Sequence, residues 1–422
     1  MTELLLKIRS LLFPRREFGI SKVGKFKRNL KNTLLSKTIP YPVQRPTALN
    51  QTLYLAGMFS TANGIGEAAR SAYTALTSTG AKVIAVDIST AFGQADIETD
   101  IPCIPYSDFP FKESGTLLLY MNGAEVIFSL NTLGLRKKHP WKVIGIWVWE
   151  LPNFPRTWVQ ALPYVSEIWT YSHFSKKSLD SYPSEMKVTV VPPPIFPPKA
   201  KSQNKMDLDI PPNKFVFLTM CDARSGIDRK NPIGAIRAFK FAYEKNPNIF
   251  LIVKTRNFTE NMNAFEDMRK AISNHQGILW LDDSISKSAI EDLFQQTDCF
   301  LSLHKSEGFG LTLAQAMIAG KPCIASAWSA NLDYMDEKCA LLVPCQEVPV
   351  DDLYLVYTSK ETYWGEPDIR VAAERIIQIS TDKALYKTIS KQGHLKIMDY
   401  CDPKALGERM MELLGTSLQH PG

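Results

Sequence analysis

The residues best suited to chemistry lie in one stretch, His304 to Met335, reading HKSEGFGLTLAQAMIAGKPCIASAWSANLDYM. Glu307 stands in a glycine-rich turn between the apolar run Cys299 to Leu303 and a helical pattern with Leu311, Leu313, Ala314, Met317 and Ile318 on its apolar side. Gly320 and Pro322 end that helix, and a second strand begins at Cys323. Such a turn puts the carboxylate at the carboxyl end of a strand, while Gly308 and Gly310 let backbone N–H groups come close to a ligand. In an open parallel sheet, that is where ligands bind. A carboxylate there can accept hydrogen bonds from sugar hydroxyls or stabilise a cationic transition state. Gln315 belongs to the same stretch, and Thr312 with Gln315 also reads as a helix capping box.

Three other sets fall on strand ends. Arg224, Arg229 and Lys230, in CDARSGIDRKNP, are cations that could neutralise a phosphate leaving group, with Lys254 joining from the next strand; Arg229 and Lys230 also read as a solvated helix start. Positive charge at a helix start opposes the macrodipole, a conflict that an anionic ligand would relieve. In GMFSTANGIGEAAR, Gly64 and Gly66 could bring amides to a phosphate, or could simply serve a tight turn. The spacing is not the dinucleotide G-x-G-x-x-G, although Asp87 imitates the acid such a site wants, so a nicotinamide-dependent oxidoreductase lacks its fingerprint. Trp149 and Glu150, in Trp147-Val-Trp-Glu150, pair a ring face with a carboxylate, as sugar recognition requires, though tryptophans in an apolar run also serve a core.

The elements that position these residues alternate. Strands are expected at Thr52 to Met58, Lys82 to Val86, Thr116 to Met121, Val143 to Val148, Glu167 to Tyr171 and Lys187 to Val191, with helices such as Glu67 to Thr79 and Ser175 to Ser181 between them. After the proline-rich 192–212 the alternation restarts, with strands at Phe215 to Met220, Ile249 to Lys254, Ile278 to Leu281, Cys299 to Leu303, Cys323 to Ala325 and Ala340 to Val343. Helices are expected at Pro232 to Asn246, Asn263 to Asn274 and Lys287 to Gln296, and from Asp368 to about Leu414. The pattern implies an α/β chain of two Rossmann-like domains with parallel sheets. The expected divisions are a basic N-terminal segment 1–47, a domain 48–196, a linker 197–212, a domain 213–395 and a C-terminal helix and tail 396–422.

The net charge of +6 is concentrated at the start, where eleven Lys or Arg face two acids through Arg45. Leu4, Leu5, Ile8, Leu11, Leu12 and Phe13 share one helical face there, so the segment reads as a basic amphipathic helix for an anionic membrane surface, or as a tail docked on its own protein. No apolar run approaches the roughly 18 residues of a membrane span. Seven scattered cysteines without a C-x-x-C pair suggest reduced thiols in a cytoplasmic protein, and six histidines without ligand spacing suggest no metal site.

Taken together, HKSEGFGLTLAQAM, GKPCIASAWSANLDYM, LLVPCQEVPV, RKNPIGAIRAFKFAY and LIVKT, with GIGEAAR, GIWVWELPNFP, EIWTYSHFS and WGEPD, resemble the retaining glycosyltransferases called group one or family four, over roughly residues 52 to 395. The resemblance implies the GT-B fold, two Rossmann-like domains facing across a cleft that holds a nucleoside-diphosphate sugar, with no other cofactor and no metal. It places the first glutamate of the E-x7-E signature on Glu307, at the donor sugar. The second falls on Gln315, where the family typically has a carboxylate on the ribose hydroxyls. Its diphosphate-binding pair falls on Lys230 with Arg224 or Arg229, and more weakly on Lys254. Gly64, Gly66, Gly308, Phe309, Gly310 and Leu311 stand on the donor side. Trp149 and Glu150 replace a histidine that many relatives carry and become the acceptor-side candidates. The implied activity is retaining transfer to a glycan or lipid-linked acceptor in cell-surface polysaccharide biosynthesis, in the cytoplasm or on the inner face of the membrane, with no nucleic-acid partner. Gln315 leaves a second expectation, a catalytically degenerate GT-B protein that binds nucleotide or glycan as a scaffold.

Overall fold

The structure, a computed structural model, describes Leu34 and residues 52–135, 139–198, 206–353, 357 and 362–415. The expected basic helix and its membrane contact lie outside the described residues. The described chain divides into two compact units, residues 52–196 with 397–415, and Pro197–Lys396.

In the first unit, β1 (Leu53–Gly57), β2 (Val83–Asp87), β3 (Cys103–Pro105), β4 (Gly115–Tyr120), β5 (Trp141–Ile146), β6 (Glu167–Thr170) and β7 (Val188–Val190) form one parallel sheet. Its strand order is 3-2-1-4-5-6-7. The strands are nearly continuous runs of buried apolar residues, as a sheet covered on both faces requires. Helices α1 (Gly64–Ser78), α2 (Gly123–Thr132) and α3 (His173–Asp180) are crossovers. α1 buries the small stripe Ala68, Ala69, Ala72 and Ala75.

The second unit repeats the plan. β8 (Phe215–Asp222) leads through a single helical turn, α4 (Ile227–Lys230), and α5 (Pro232–Tyr243) to β9 (Ile249–Arg256). Then come α6 (Met262–Ile272), β10 (Ile278–Asp282), α7 (Lys287–Gln296), β11 (Cys299–Ser302), α8 (Leu311–Ile318), β12 (Cys323–Ser326) and β13 (Leu341–Val343). The parallel order 10-9-8-11-12-13 is the Rossmann 3-2-1-4-5-6 arrangement. Its crossovers run to opposite sides from the adjacent strands β8 and β11, so a ligand crevice is expected at their carboxyl ends. Phe217, Leu251, Val253, Leu301 and Ile324 bury the sheet's core beside Ala235, Ile236 and Phe239 of α5.

Both parallel sheets follow the sequence expectation, with three differences. β8 and β9 each run two residues further, to Asp222 and Arg256. The short edge strand β3 was not anticipated, nor was an antiparallel ribbon of β14 (Cys345–Pro349) and β15 (Tyr363–Pro367), which pairs Val348 with Trp364. Helices α9 (Ile369–Thr381), α10 (Lys383–Tyr400) and α11 (Pro403–Leu413) end the described chain. α11 packs on α1 in the first unit. No helix of the described residues is long and apolar enough to cross a membrane.

Candidate active site at the ends of β8 and β11

The dipeptide Asn231-Pro232 builds one side of the site. Asn231 adopts the left-handed conformation, ends α4 and caps α5 by accepting from Gly234 N at 3.0 Å. Pro232 at the first helical position costs α5 no hydrogen bond. The Asn231 amide also donates to Leu303 O at 2.8 Å, and Lys305 N donates to Arg229 O at 2.7 Å. These bonds stitch the end of α4 to the turn after β11. Lys230 Nζ consequently lies 2.5 Å from Glu307 Oε1, and Arg229 Nη1 lies 3.2 Å from Oε2. Arg229 also donates to Ser306 O and Ser225 O, each at 2.7 Å. The sequence offered Arg229 and Lys230 as cations for a phosphate or as a solvated helix start; they close α4 just before α5 begins, and Glu307 answers their charge.

Glu307 is 7% exposed and Arg229 3%. Burial pushes the Glu307 carboxyl up, but Lys230, Arg229 and the hydrogen bond from Lys230 outweigh it and hold the pKa down at about 2. It is an anion at every physiological pH. The Glu307 amide donates to Ser329 Oγ at 2.8 Å, and Ser329 takes φ 74, a strained value for a residue other than glycine. Tyr334 Oη donates to Phe309 O at 2.9 Å and Gly310 O at 3.0 Å. Gly310 has φ 89, and an added Cβ would sit 2.8 Å from that hydroxyl, so both the turn and the tyrosine require glycine. Beneath the turn His304 is fully buried, and burial lowers its pKa. Asn331 donates to Ser326 O at 2.9 Å, which turns its Oδ1 toward His304 Nε2 as an acceptor at 3.0 Å. His304 Nδ1 then accepts from Ser302 Oγ at 3.0 Å. The imidazole is neutral and structural.

Other expected site residues make contacts of their own. Arg224 pairs with Glu260, its Nε 3.0 Å from Oε2, so of the two arginines the structure brings Arg229 to Glu307. Lys254 lies inside the longer β9, and its ammonium bonds the carbonyls of Thr255 (2.6 Å) and Asp283; burial lowers its pKa to about 8. The capping box is absent. α8 starts at Leu311 with Gly310 as its N-cap, Thr312 lies inside the helix, and the half-buried Gln315 side chain makes no hydrogen bond among the described residues. Phe309 is buried against Tyr334, ring centroids 5.2 Å apart, while Gly308 is buried and Leu311 half-buried.

Gly66 serves the tight turn. Its N–H donates to Asn63 Oδ1 at 2.8 Å, and an added Cβ would lie 2.5 Å from Met58 O. Gly64 is exposed at the start of α1. Asp87 is occupied by Ser60 and Ser89. Trp147 is core, whereas Trp149 and Glu150 are half-buried beyond β5; the Trp149 ring rests 5.2 Å from that of Trp158 and its Nε1 donates to Asn153 O at 2.8 Å. Sequence reasoning missed Asn231, Ser329 and Tyr334. Asn-Pro was a readable turn signal for the first; the other two reach the turn from more than 20 residues away.

A family supplies a frame for this geometry. Residues 202–348 match the model of the group 1 glycosyl transferases. The group 1 match takes in β8 to β13, hence Arg229, Lys230 and Glu307. Among solved structures, sucrose-phosphate synthase from Thermosynechococcus elongatus aligns with TM-score 0.61 at 16% identity, over 86% of this chain and 98% of that one. HepE of Anabaena, in complex with UDP and glucose, gives 0.58 at 13%, over 87% and 100%. A mutant of S. aureus TarM, in complex with fondaparinux, alpha-GlcNAc-glycerol and UDP, gives 0.52 at 9%; it covers 71% of this chain, which spans only 55% of TarM. At these identities the likeness is one of fold, and that fold is GT-B. A comparison with curated proteins finds no match.

Proposed function

We propose that the protein is a retaining glycosyltransferase that moves a sugar from a nucleoside diphosphate, UDP being the first candidate, to a hydroxyl of a glycan or lipid-linked acceptor in surface polysaccharide synthesis. The observation that carries this reading is the Glu307 carboxylate held between Lys230 and Arg229 at the carboxyl ends of β8 and β11. Further support comes from the group 1 match and from the UDP and sugars bound by HepE and TarM.

A diphosphate beside α4 takes over the Lys230 ammonium and shares Arg229, and the released Glu307 oxygen faces the donor sugar. Both cations stand ready where negative charge grows as the bond between the anomeric carbon and the β-phosphate oxygen breaks. The acceptor oxygen bonds that carbon from the same face, and its proton passes to the departing phosphate oxygen. These steps balance without a metal. Gln315 is the donor-side ribose contact in this reading, with one acceptor oxygen and two donor hydrogens in place of a carboxylate. Glu150 and Trp149 are assigned to the acceptor, and the segment 1–47 to an anionic membrane surface.

The test is a thermal-shift screen of sugar nucleotides, then donor hydrolysis and transfer with and without EDTA, for wild type and Glu307→Ala. Stabilisation by one sugar nucleotide with EDTA-insensitive turnover that Glu307→Ala abolishes supports the reading. Binding without turnover replaces it with a nucleotide-binding scaffold, and an inverted product anomer removes the retaining step.

A further inference from the structure

The proposed transfer gives no role to the ribbon of β14 and β15, yet the ribbon touches both halves of the ion cluster. The group 1 match ends at residue 348, inside β14, so β15 and the residues between the two strands lie beyond it. On one side β15 meets the turn after β11. Gly365 N donates to Lys305 O at 2.9 Å, Lys305 Nζ lies 2.5 Å from Glu366 Oε2, and the same ammonium stands 5.2 Å from the centroid of the buried Trp364 ring. The Lys305 N–H donates to Arg229 O, so this one residue joins ribbon, turn and α4. A Cβ added to Gly365 would lie 2.5 Å from Trp328 Cγ; the ribbon thus also rests on the residue before Ser329, whose hydroxyl accepts from the Glu307 amide. On the other side, between the strands, Leu353 N donates to Asp228 Oδ2 of α4 at 2.6 Å, and the buried Tyr357 ring faces Arg229, its centroid 5.9 Å from the guanidinium carbon. That ring packs closely on Gly226 just ahead of α4, where an added Cβ would stand 3.0 Å from Tyr357 Cε2.

We propose that the ribbon is a positioning element for this cluster, with Lys305 and Tyr357 the positioning residues by which it holds the turn after β11 against the end of α4 and keeps Glu307 between Arg229 and Lys230. Lys305 stands two residues before Glu307 and Tyr357 meets Arg229 itself, so a shift at either grip is passed directly to the cluster. A guanidinium offers its face to an aromatic ring without giving up its in-plane N–H groups. Arg229 therefore keeps its bonds to Ser306 O and Ser225 O and its approach to Glu307 while Tyr357 restrains it from the face. Used on a donor diphosphate, the role rests on the transferase reading; as a hold on the ion cluster it does not.

The experiment reads the hold in the ligand-free protein, through the acid stability that Glu307 confers. Glu307 faces Arg229 and Lys230 of α4, the buried His304 beneath the turn, and the Cys221 thiol of β8, whose pKa burial pushes up to about 12. Wild type, Tyr357→Leu, Tyr357→Phe and Lys305→Met are each compared with a partner that also carries Glu307→Gln. The folded pKa of Glu307 is the depressed one, so the excess by which acidification from about pH 6 to about pH 3 lowers the urea midpoint of the Glu307 member is the part due to that carboxylate. A merely structural loss lowers both members alike and leaves the excess unchanged, and any change at Glu366 is common to both and cancels. The excess is expected to fall by about half or more in Tyr357→Leu and in Lys305→Met, and to keep its wild-type size in Tyr357→Phe, which retains the ring. An excess of wild-type size in either Tyr357→Leu or Lys305→Met overturns the proposal. UDP affinity at neutral pH should fall about threefold or more in the same two variants and hold in Tyr357→Phe. Should UDP bind none of the proteins while the excess falls as expected, the ribbon's role stands and the nucleotide reading falls; should UDP bind wild type while the excess is unchanged, the ribbon's role falls and the nucleotide reading stands.

Discussion

Glu307 stores opposing tendencies at one residue. Its burial favours the neutral acid, and two adjacent cations overrule it, so its charge and theirs are interdependent. Relative to an ordinary value of 4.5, a folded pKa of about 2 corresponds to about 3 kcal/mol of stability. The folded pKa is the depressed one, so that contribution is complete above pH 4.5 and is lost as pH falls toward 2. Glu307→Gln should therefore flatten the acid limb of the stability curve, measured by urea midpoints at a series of pH values; an unchanged slope would mean that the ion cluster contributes nothing to acid stability. The two arginines should separate equally clearly. Arg229→Ala leaves Glu307 buried with one partner fewer and is expected to cost ~3 kcal/mol or more. Arg224 shares a partly exposed pair with Glu260, and Arg224→Ala should cost under about 1 kcal/mol and leave UDP binding within a few-fold of wild type. Equal losses of UDP affinity in the two variants would contradict the assignment of Arg229 to the site.

The turn between β11 and α8 works as an element because distant residues tie it down. Ser329 is the clearest case, since its hydroxyl holds the Glu307 amide while its backbone is strained. Ser329→Gly relieves the backbone and removes the hydroxyl, whereas Ser329→Ala removes the hydroxyl and keeps the strain. Both should lower the urea midpoint, Ser329→Ala further, by ~1–3 kcal/mol for an orphaned buried amide. If Ser329→Ala is as stable as wild type, the hydroxyl has no role in holding the turn. Such ties explain what the sequence could and could not reveal. Strands β1, β4, β8, β9 and β11 were legible because a parallel sheet buried on both faces demands unbroken apolar runs, and Glu307 was legible because it follows such a run with glycines on either side of Phe309. The ribbon of β14 and β15 was opaque, since Cys345–Pro349 and Tyr363–Pro367 mix proline, glycine and acids and become strands only by pairing with each other. Thr312 and Gln315 misled in the opposite sense, as their spacing suits a capping box but the positive φ of Gly310 starts the helix earlier. Nothing local to Arg224 or Arg229 could choose between them. Asn231, through its bond to Leu303, makes the choice by bringing the end of α4 against the turn.

At the scale of the whole chain, the last helix belongs with the first unit, although some 200 residues of the other unit intervene. The division at Lys396 and Ile397 falls inside α10, so one continuous helix passes from one unit into the other. Beyond it, α11 packs by close backbone approach: a Cβ added to Gly407 of α11 would lie 2.6 Å from Ala75 O of α1. That approach is possible because α1 offers alanines at 68, 72 and 75 rather than larger side chains. α1 also carries the Gly64 and Gly66 turn at its N-terminus, so α11 braces the element that opens the first unit's crossover. Gly407→Leu should wedge the two helices apart at a cost of ~1–3 kcal/mol. Hydrogen exchange read by mass spectrometry locates the damage: protection should fall most in peptides from β1 to β4 and from α1, and less in peptides from β8 to β12. Deleting residues 403–422 should produce the same pattern more strongly, because the Ala68, Ala72 and Ala75 face then meets water. If the loss is instead spread evenly over both sheets, or falls mainly on β8 to β12, α11 does not belong to the first unit's core.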